Sequence, residues 1–315
     1  MSAKSLDQMF DELDREGGIF RPSEFWQSLN AKNVEQLNRE GIHNIKRTLA
    51  QNYFTWVIGW RHDQFRRLVT KMHPGDWVEI FRDFPGYDAS TGLSRWRFVH
   101  LCIFTRMLYI YASRFDPLKL LDRLDEPSFG NPFPVHFRGK LISQDLINSV
   151  LELYAAFEGK KIDFDAPVRM CEIGAGYGRN AFVFLSFFPN CTYTIVDIPP
   201  ALYVSQQYLG TVCHNAKADF LLPQEAAQLP NNSFDMLINI SSFHEMTPQQ
   251  VDAYFGLIDR TLSGRLYLKQ WKRWHNPADN VVLSEGSYPY RPSWKKLYSR
   301  TTLAQPSFFE AVYEV

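Results

Sequence analysis

The chain has 315 residues, 45% of them hydrophobic and 15% aromatic, enough to bury a large core in one elaborated domain or two. Lys plus Arg and Asp plus Glu each number 34, so the formal net charge of +0 supplies no attraction to nucleic acid or to an anionic membrane. The opening MSAKSLDQMFDELDREGG lacks the basic flank and apolar stretch of a secretion signal, and no apolar run reaches membrane-spanning length; a cytoplasmic protein without membrane insertion is expected.

Residues 1 to about 20 are polar and acidic and read as a frayed end. From Pro22 apolar side chains recur at helical spacing, first at Phe25, Trp26, Leu29, Val34 and Leu37, then at Ile45, Leu49, Tyr53, Phe54 and Val57. Residues 96–113 are so apolar that a helix there must be buried among neighbours. Three prolines and a glycine in DRLDEPSFGNPFPV, 122–135, mark a boundary loop or a lid. Residues 143–157 follow with a serine cap and an apolar stripe through Leu146, Ile147, Val150, Leu151, Tyr154 and Ala155, the pattern of an amphipathic helix.

Strands and helices then alternate. Strands are expected at 168–173, 192–196, near 219–222, at 236–240 and at 265–271, with helices at 179–188, 201–209 and 247–262, the last capped by Thr247 with Pro248 at its first position. SFFEAVYEV, 307–315, reads as a final antiparallel strand at or near a sheet edge. This is the pattern of an α/β fold, a mostly parallel sheet covered on both faces with a ligand crevice at the strands' carboxyl ends. Cys102, Cys171, Cys191 and Cys213 are scattered, with no CxxC pair or zinc spacing, and are expected as buried thiols; no metal site is expected.

The stretch VRMCEIGAGYGRNAFVFLSFF, 168–188, joins a strand ending in Glu172 to a helix through Gly174, Gly176 and Gly178. Such a turn lets a ligand approach the backbone, and the helix start favours an anion. The dinucleotide fingerprint needs a third glycine at position 179, where this chain has Arg179. A second strand ends in Asp197, whose carboxylate suits both hydroxyls of a ribose. A glycine turn followed by an acid on the next strand fits S-adenosylmethionine better than a nicotinamide dinucleotide.

GNPFPVHFRGKLISQDLINS, CEIGAGYGR, YTIVDIPPALYVSQQYL, LPNNSFDMLINISSFHEM and LYLKQW together resemble the sugar O-methyltransferases of bacteria, from about Pro22 onward. The resemblance implies a Rossmann-like class I methyltransferase fold: a mostly parallel sheet with a C-terminal antiparallel strand, preceded by an α-helical region. Residues 136–315 would form the S-adenosylmethionine-binding domain. Residues 1–135 would be the helical region, whose service as lid, acceptor-binding surface or homodimer interface the sequence leaves open. The resemblance further implies that Glu172, Gly174, Gly176 and Gly178 surround the methionine and ribose, and that the adenine sits near Leu222, Pro223 and Gln224. The product would be S-adenosylhomocysteine.

Methyl transfer from a sulfonium is an in-line displacement, and a sugar hydroxyl must lose its proton as the bond forms, which makes a base useful. His244, just beyond the strand 236–240 at the carboxyl edge, is the candidate base; Glu245 is a second base or orients it. For a small-molecule or glycan acceptor the candidates are Asn131, Arg138, Lys140, Trp271 and Arg291, within a proline-rich segment and an aromatic stretch running through Trp274, Tyr288, Tyr290 and Trp294. An N-methyltransferase acting on an amino sugar or related amine, and a non-catalytic binding subunit of the same fold, are the competing readings.

Overall fold

The computed structural model describes residues 4–47 and 59–315; the helical pattern expected at Leu49, Tyr53, Phe54 and Val57 lies outside them. Helix α1 (Leu6–Glu16) starts at a reciprocal cap, with Gln8 N donating to Ser5 Oγ at 3.2 Å and Ser5 N to Gln8 Oε1 at 2.9 Å. Met9 and Leu13, one turn apart, are fully buried. The expected frayed end is therefore a docked helix, because two apolar residues at four-residue spacing are enough to bury one face. Helix α2 (Glu24–Glu40) is held at its start by Asp279, whose two oxygens accept from Glu24 N and Phe25 N at 3.0 and 3.3 Å.

The chain divides into two compact units, one of Met1–Glu35, Ala155–Thr302 and Ser307–Val315, the other of Gln36–Tyr154 and Leu303–Pro306. The second unit holds α3 (Asp63–Val69), α4 (Pro74–Phe81) and α5 (Arg95–Ser113). Arg106 of α5 is buried, with no carboxylate in hydrogen-bond reach among the described residues: its guanidinium donates to the carbonyls of Ile80, Arg82, Asp83 and His136 at 2.6–3.1 Å, between the rings of Phe84 and Phe137. A two-residue ladder, β1 (His136–Phe137) with β2 (Lys140–Leu141), turns through Arg138 and Gly139. Beyond it, Ser143 Oγ accepts from Leu146 N at 3.0 Å, the expected serine cap of α6 (Gln144–Phe157).

In the first unit β3 (Val168–Ile173), α7 (Arg179–Phe187), β4 (Cys191–Val196), α8 (Ala201–Val212) and β5 (Lys217–Leu221) alternate as expected, and β5 runs into a short helix that was not expected, α9 (Pro223–Ala226). They are followed by β6 (Phe234–Ile240), α10 (Pro248–Thr261) and β7 (Leu262–Trp271). Thr247 caps α10 in a box with Gln250. A hairpin of β8 (Arg273–Asn276) and β9 (Val281–Ser284) precedes β10 (Lys295–Thr301) and β11 (Phe308–Glu314). Seven strands form one sheet in the order β10-β11-β7-β6-β3-β4-β5. The five from β7 to β5 are parallel, and β11 runs antiparallel to both of its neighbours. β11 is thus one strand in from the edge; the edge is β10, which sequence patterning did not predict, because KKLYSRT keeps only a partly covered face. Strand order reverses between β3 and β6, which opens a crevice at their carboxyl ends.

Among the described residues no helix is long and apolar enough to cross a membrane. The four cysteines are free, three of them buried, and burial raises the thiols of Cys102 and Cys191 to about 12.

Candidate functional site

The crevice floor is the turn after β3. Gly174, Gly176 and Gly178 have φ of 74°, 62° and 91°, the left-handed region that side chains resist. At Gly174 space is a second constraint, since a Cβ there would lie 2.2 Å from Ser242 Oγ. Gly178 stands at the start of α7, where the first N–H groups of the helix have no acceptor within it. Glu172 is buried, with Asn180 Nδ2 donating to one carboxylate oxygen at 2.9 Å and Tyr193 OH to the other at 2.7 Å. It thereby ties β3 to β4 and to α7.

Asp197, at the end of β4, accepts from Gly176 N at 3.0 Å on one oxygen and from Ile198 N at 2.8 Å on the other. Burial raises its pKa to about 7 against the pull of those two N–H groups, and the charges of Glu172 and Glu245 add to the rise. At the end of β5, Leu222 and Pro223 are buried at the start of α9, and Gln224 Oε1 is buried with no partner among the described residues.

Beyond β6, Ser241 takes a left-handed φ of 54° with its N–H on Lys269 O, and the chain turns into the short 3-10 segment Phe243–Glu245. That turn delivers His244 to the same rim, buried. Its Nδ1 lies 3.0 Å from Gln270 Oε1 and its Nε2 3.5 Å from Glu245 Oε1. Gln270 Nε2 donates to Asn239 Oδ1, and Asn239 Nδ2 donates to Ile173 O at 2.8 Å. The ring of Trp274 stands 5.2 Å from the imidazole, centroid to centroid, and Trp271 stands 5.4 Å from Trp274 and 4.4 Å from Phe308.

Five parallel strands in the order β5-β4-β3-β6-β7, a glycine turn after the central one, and an antiparallel strand inserted beside β7 decide the architecture. The fold is a Rossmann-like α/β fold, a mostly parallel central sheet with an antiparallel C-terminal strand pair. No family model matches the chain, and no curated protein matches it. Among solved structures, phosphoethanolamine N-methyltransferase 1 of Haemonchus contortus, in complex with phosphoethanolamine and S-adenosylhomocysteine, is 13% identical. That match covers 55% of this chain and 43% of the other, with a TM-score of 0.39. A SAM-dependent methyltransferase of Leishmania major is 15% identical over 53% of this chain and 72% of its own, TM-score 0.43. The cyclase SpnF is 11% identical over 53% of this chain and 81% of its own, TM-score 0.41.

On this fold the anticipated residues fall into two groups. Glu172, the three glycines, Asp197, Leu222, Pro223, Gln224, His244, Glu245 and Trp271 all lie at or beside the carboxyl ends of β3, β4, β5, β6 and β7. The others are engaged elsewhere. Arg291 pairs with Asp252 of α10 at 3.0 Å, and in the second unit Arg138 pairs with Glu79 at 2.6 Å. Lys140 donates to Asp122 O and Leu124 O, and Asn131 donates to Asn44 Oδ1 at 2.8 Å. Tyr288 and Trp294 stack on Phe255 in the core, and Tyr290 stacks on Tyr313. Asn239 and Gln270 were not anticipated, although each is an amide within a strand of largely apolar residues, LINI and LYLKQW, and a buried amide requires partners. Among the described residues no group of three His, Cys, Asp or Glu side chains is placed to hold a metal ion.

Proposed function

We propose that the chain is a cytoplasmic S-adenosylmethionine-dependent methyltransferase acting on a hydroxyl of a sugar or glycosylated small molecule, with His244 as the base. The observation that carries the reading is the convergence of the left-handed glycine turn, Asp197 and His244 on adjacent strand ends of one unit. Two features suit the cofactor. Each Asp197 oxygen takes one backbone N–H and keeps a lone pair for one ribose hydroxyl, and the orphaned Gln224 Oε1 suits the amine of an adenine. When bound, the cofactor supplies an electrophilic methyl group on a sulfonium.

The chain's own residues do the rest. The glycines keep side chains off the turn, and the start of α7 favours a carboxylate. His244 Nε2 takes the hydroxyl proton as the acceptor oxygen loses it, and Glu245 faces the imidazolium so formed. Trp271 and Trp274 offer ring faces to the C–H surface of a sugar. The sugar itself rests on the resemblance of the GNPFPV, VDIPPAL and SSFHEM segments.

One observation favours an amine instead. His244 Nε2 and Glu245 Oε1, 3.5 Å apart, are both acceptors when the neutral imidazole carries its proton on Nδ1, and an ammonium group presents two protons where a lone hydroxyl presents one. Calorimetry with S-adenosylmethionine, then incubation with its methyl-labelled form and a panel of nucleotide sugars, glycosides and amines, separates the readings. Label is expected on sugar hydroxyls with EDTA present. Label only on amines replaces the acceptor, EDTA-sensitive transfer restored by magnesium introduces a metal, and absence of binding sinks the enzymatic reading.

A further inference from the structure

Two buried amides in adjacent strands carry a directional message from the cofactor turn to the base. Asn239 and Gln270 are both fully buried, at the carboxyl ends of β6 and β7. The first link is Asn239 Nδ2 on Ile173 O at 2.8 Å. A carbonyl only accepts, so the Asn239 side chain can face it only with its NH2 group, and its oxygen must turn away. That oxygen meets Gln270 Nε2, which also lies 3.5 Å from Asn239's own backbone oxygen. Turned over, Gln270 would set its oxygen against two acceptors. Its orientation is therefore fixed, and Oε1 faces His244 Nδ1 at 3.0 Å.

An amide oxygen has no proton to give, so Nδ1 must carry one. A neutral imidazole has a single N–H, which leaves the lone pair on Nε2. We propose that Asn239 and Gln270 are positioning residues that hold His244 as its Nδ1–H tautomer, presenting a basic Nε2 to the acceptor. The relay is anchored on Ile173, the residue immediately before Gly174, so the base is registered to the turn that bounds the cofactor site. The same tautomer makes sense of Glu245: once Nε2 is protonated, the imidazolium has Gln270 Oε1 on one side and a carboxylate on the other. The tautomer follows from the hydrogen bonds alone, whereas its service to catalysis rests on the methyltransferase reading above.

The test begins with the tautomer. The full chain, grown with 15N-labelled histidine, is observed at pH 8 by long-range proton–nitrogen correlation NMR, and His244 is assigned by its loss in His244→Asn. A protonated Nδ1 and a bare Nε2 are expected. Gln270→Met, similar in length but without an amide, should release the ring into a mixture of tautomers and lower kcat by roughly 10-fold to 100-fold, with the Kd for S-adenosylmethionine changed less than about threefold. If Gln270→Met does not fold, the wild-type spectrum still decides. An Nε2–H imidazole overturns the relay even where methyl transfer is found, and an unchanged kcat in Gln270→Met overturns the positioning role. An Nδ1–H imidazole in a chain that transfers no methyl group upholds the relay and overturns the proposed function instead.

Discussion

The proposed role of Asp197 at the ribose makes cofactor binding proton-linked. With a pKa of about 7, raised by burial, the carboxyl of the ligand-free protein is about half ionised at pH 7, about a tenth at pH 6 and about a hundredth at pH 5. Ribose hydroxyls donate to the ionised form, and a hydrogen bond to a charged group is worth about 1.5–3 kcal/mol, so two of them pull the carboxyl down by about two units or more in the complex. The Kd for S-adenosylhomocysteine should then be nearly flat above pH 8 and rise about fivefold to tenfold per pH unit between 7 and 5. Titration calorimetry at pH 8, 7, 6 and 5.5 reads the slope. At pH 7 the dependence of the binding enthalpy on buffer ionisation should show about half a proton released. Asp197→Asn should bind weakly and without this slope. A flat wild-type profile, or an equal slope in Asp197→Asn, refutes the reasoning. The sign for folding is the reverse: the native carboxyl, near 7, holds a proton that the unfolded one, near 3.8, has released, so this group's contribution to the stability of the ligand-free protein increases as pH falls from 7 towards 4.

His244→Ala should leave S-adenosylmethionine affinity near normal and lower turnover by roughly 100-fold or more; unchanged turnover removes the residue from the mechanism. Gly174→Ala combines a left-handed backbone with a Cβ 2.2 Å from Ser242 Oγ, so cofactor binding should be lost and the thermal midpoint lowered; adding Ser242→Gly should recover part of the midpoint, and normal binding in the single variant would show that the turn yields. Leu13→Ala empties a fully buried site on α1 and should cost about 2–4 kcal/mol in urea unfolding, where a loss near zero would mean that α1 is undocked in solution.

The parallel body was legible because buried strands, glycine turns and caps are local signals: VRMCEI, GAGYG and Thr247 with Pro248 each specify their structure within a few residues. Helix α1 was also written locally, in Ser5, Gln8, Met9 and Leu13, but its polar and acidic composition masked a two-residue apolar face. β10 was hidden for the opposite reason, since an edge strand with exposed lysines owes its pairing to β11 and carries little periodicity of its own. Within the site the strand-end residues followed from the turn and the topology. The partners of Arg138, Lys140 and Arg291 did not, because a long cation reaches several ångströms and its choice among carboxylates and carbonyls is made by tertiary packing. Asn239 and Gln270 lie 31 positions apart, and only the register of β6 on β7 and β3 brings them into one line.

The place of β11 in the sheet has a consequence for how the chain is assembled. It is the last of the seven strands in chain order, yet it stands inside the sheet, and β10 has no other neighbour there. As residues leave the ribosome in order, β7 and β10 each present an open edge until β11 slides between them, and open edges recruit wrong partners. Deleting this one strand would expose β7 and cast β10 adrift together, so a lesion of seven residues disables a far longer stretch of chain.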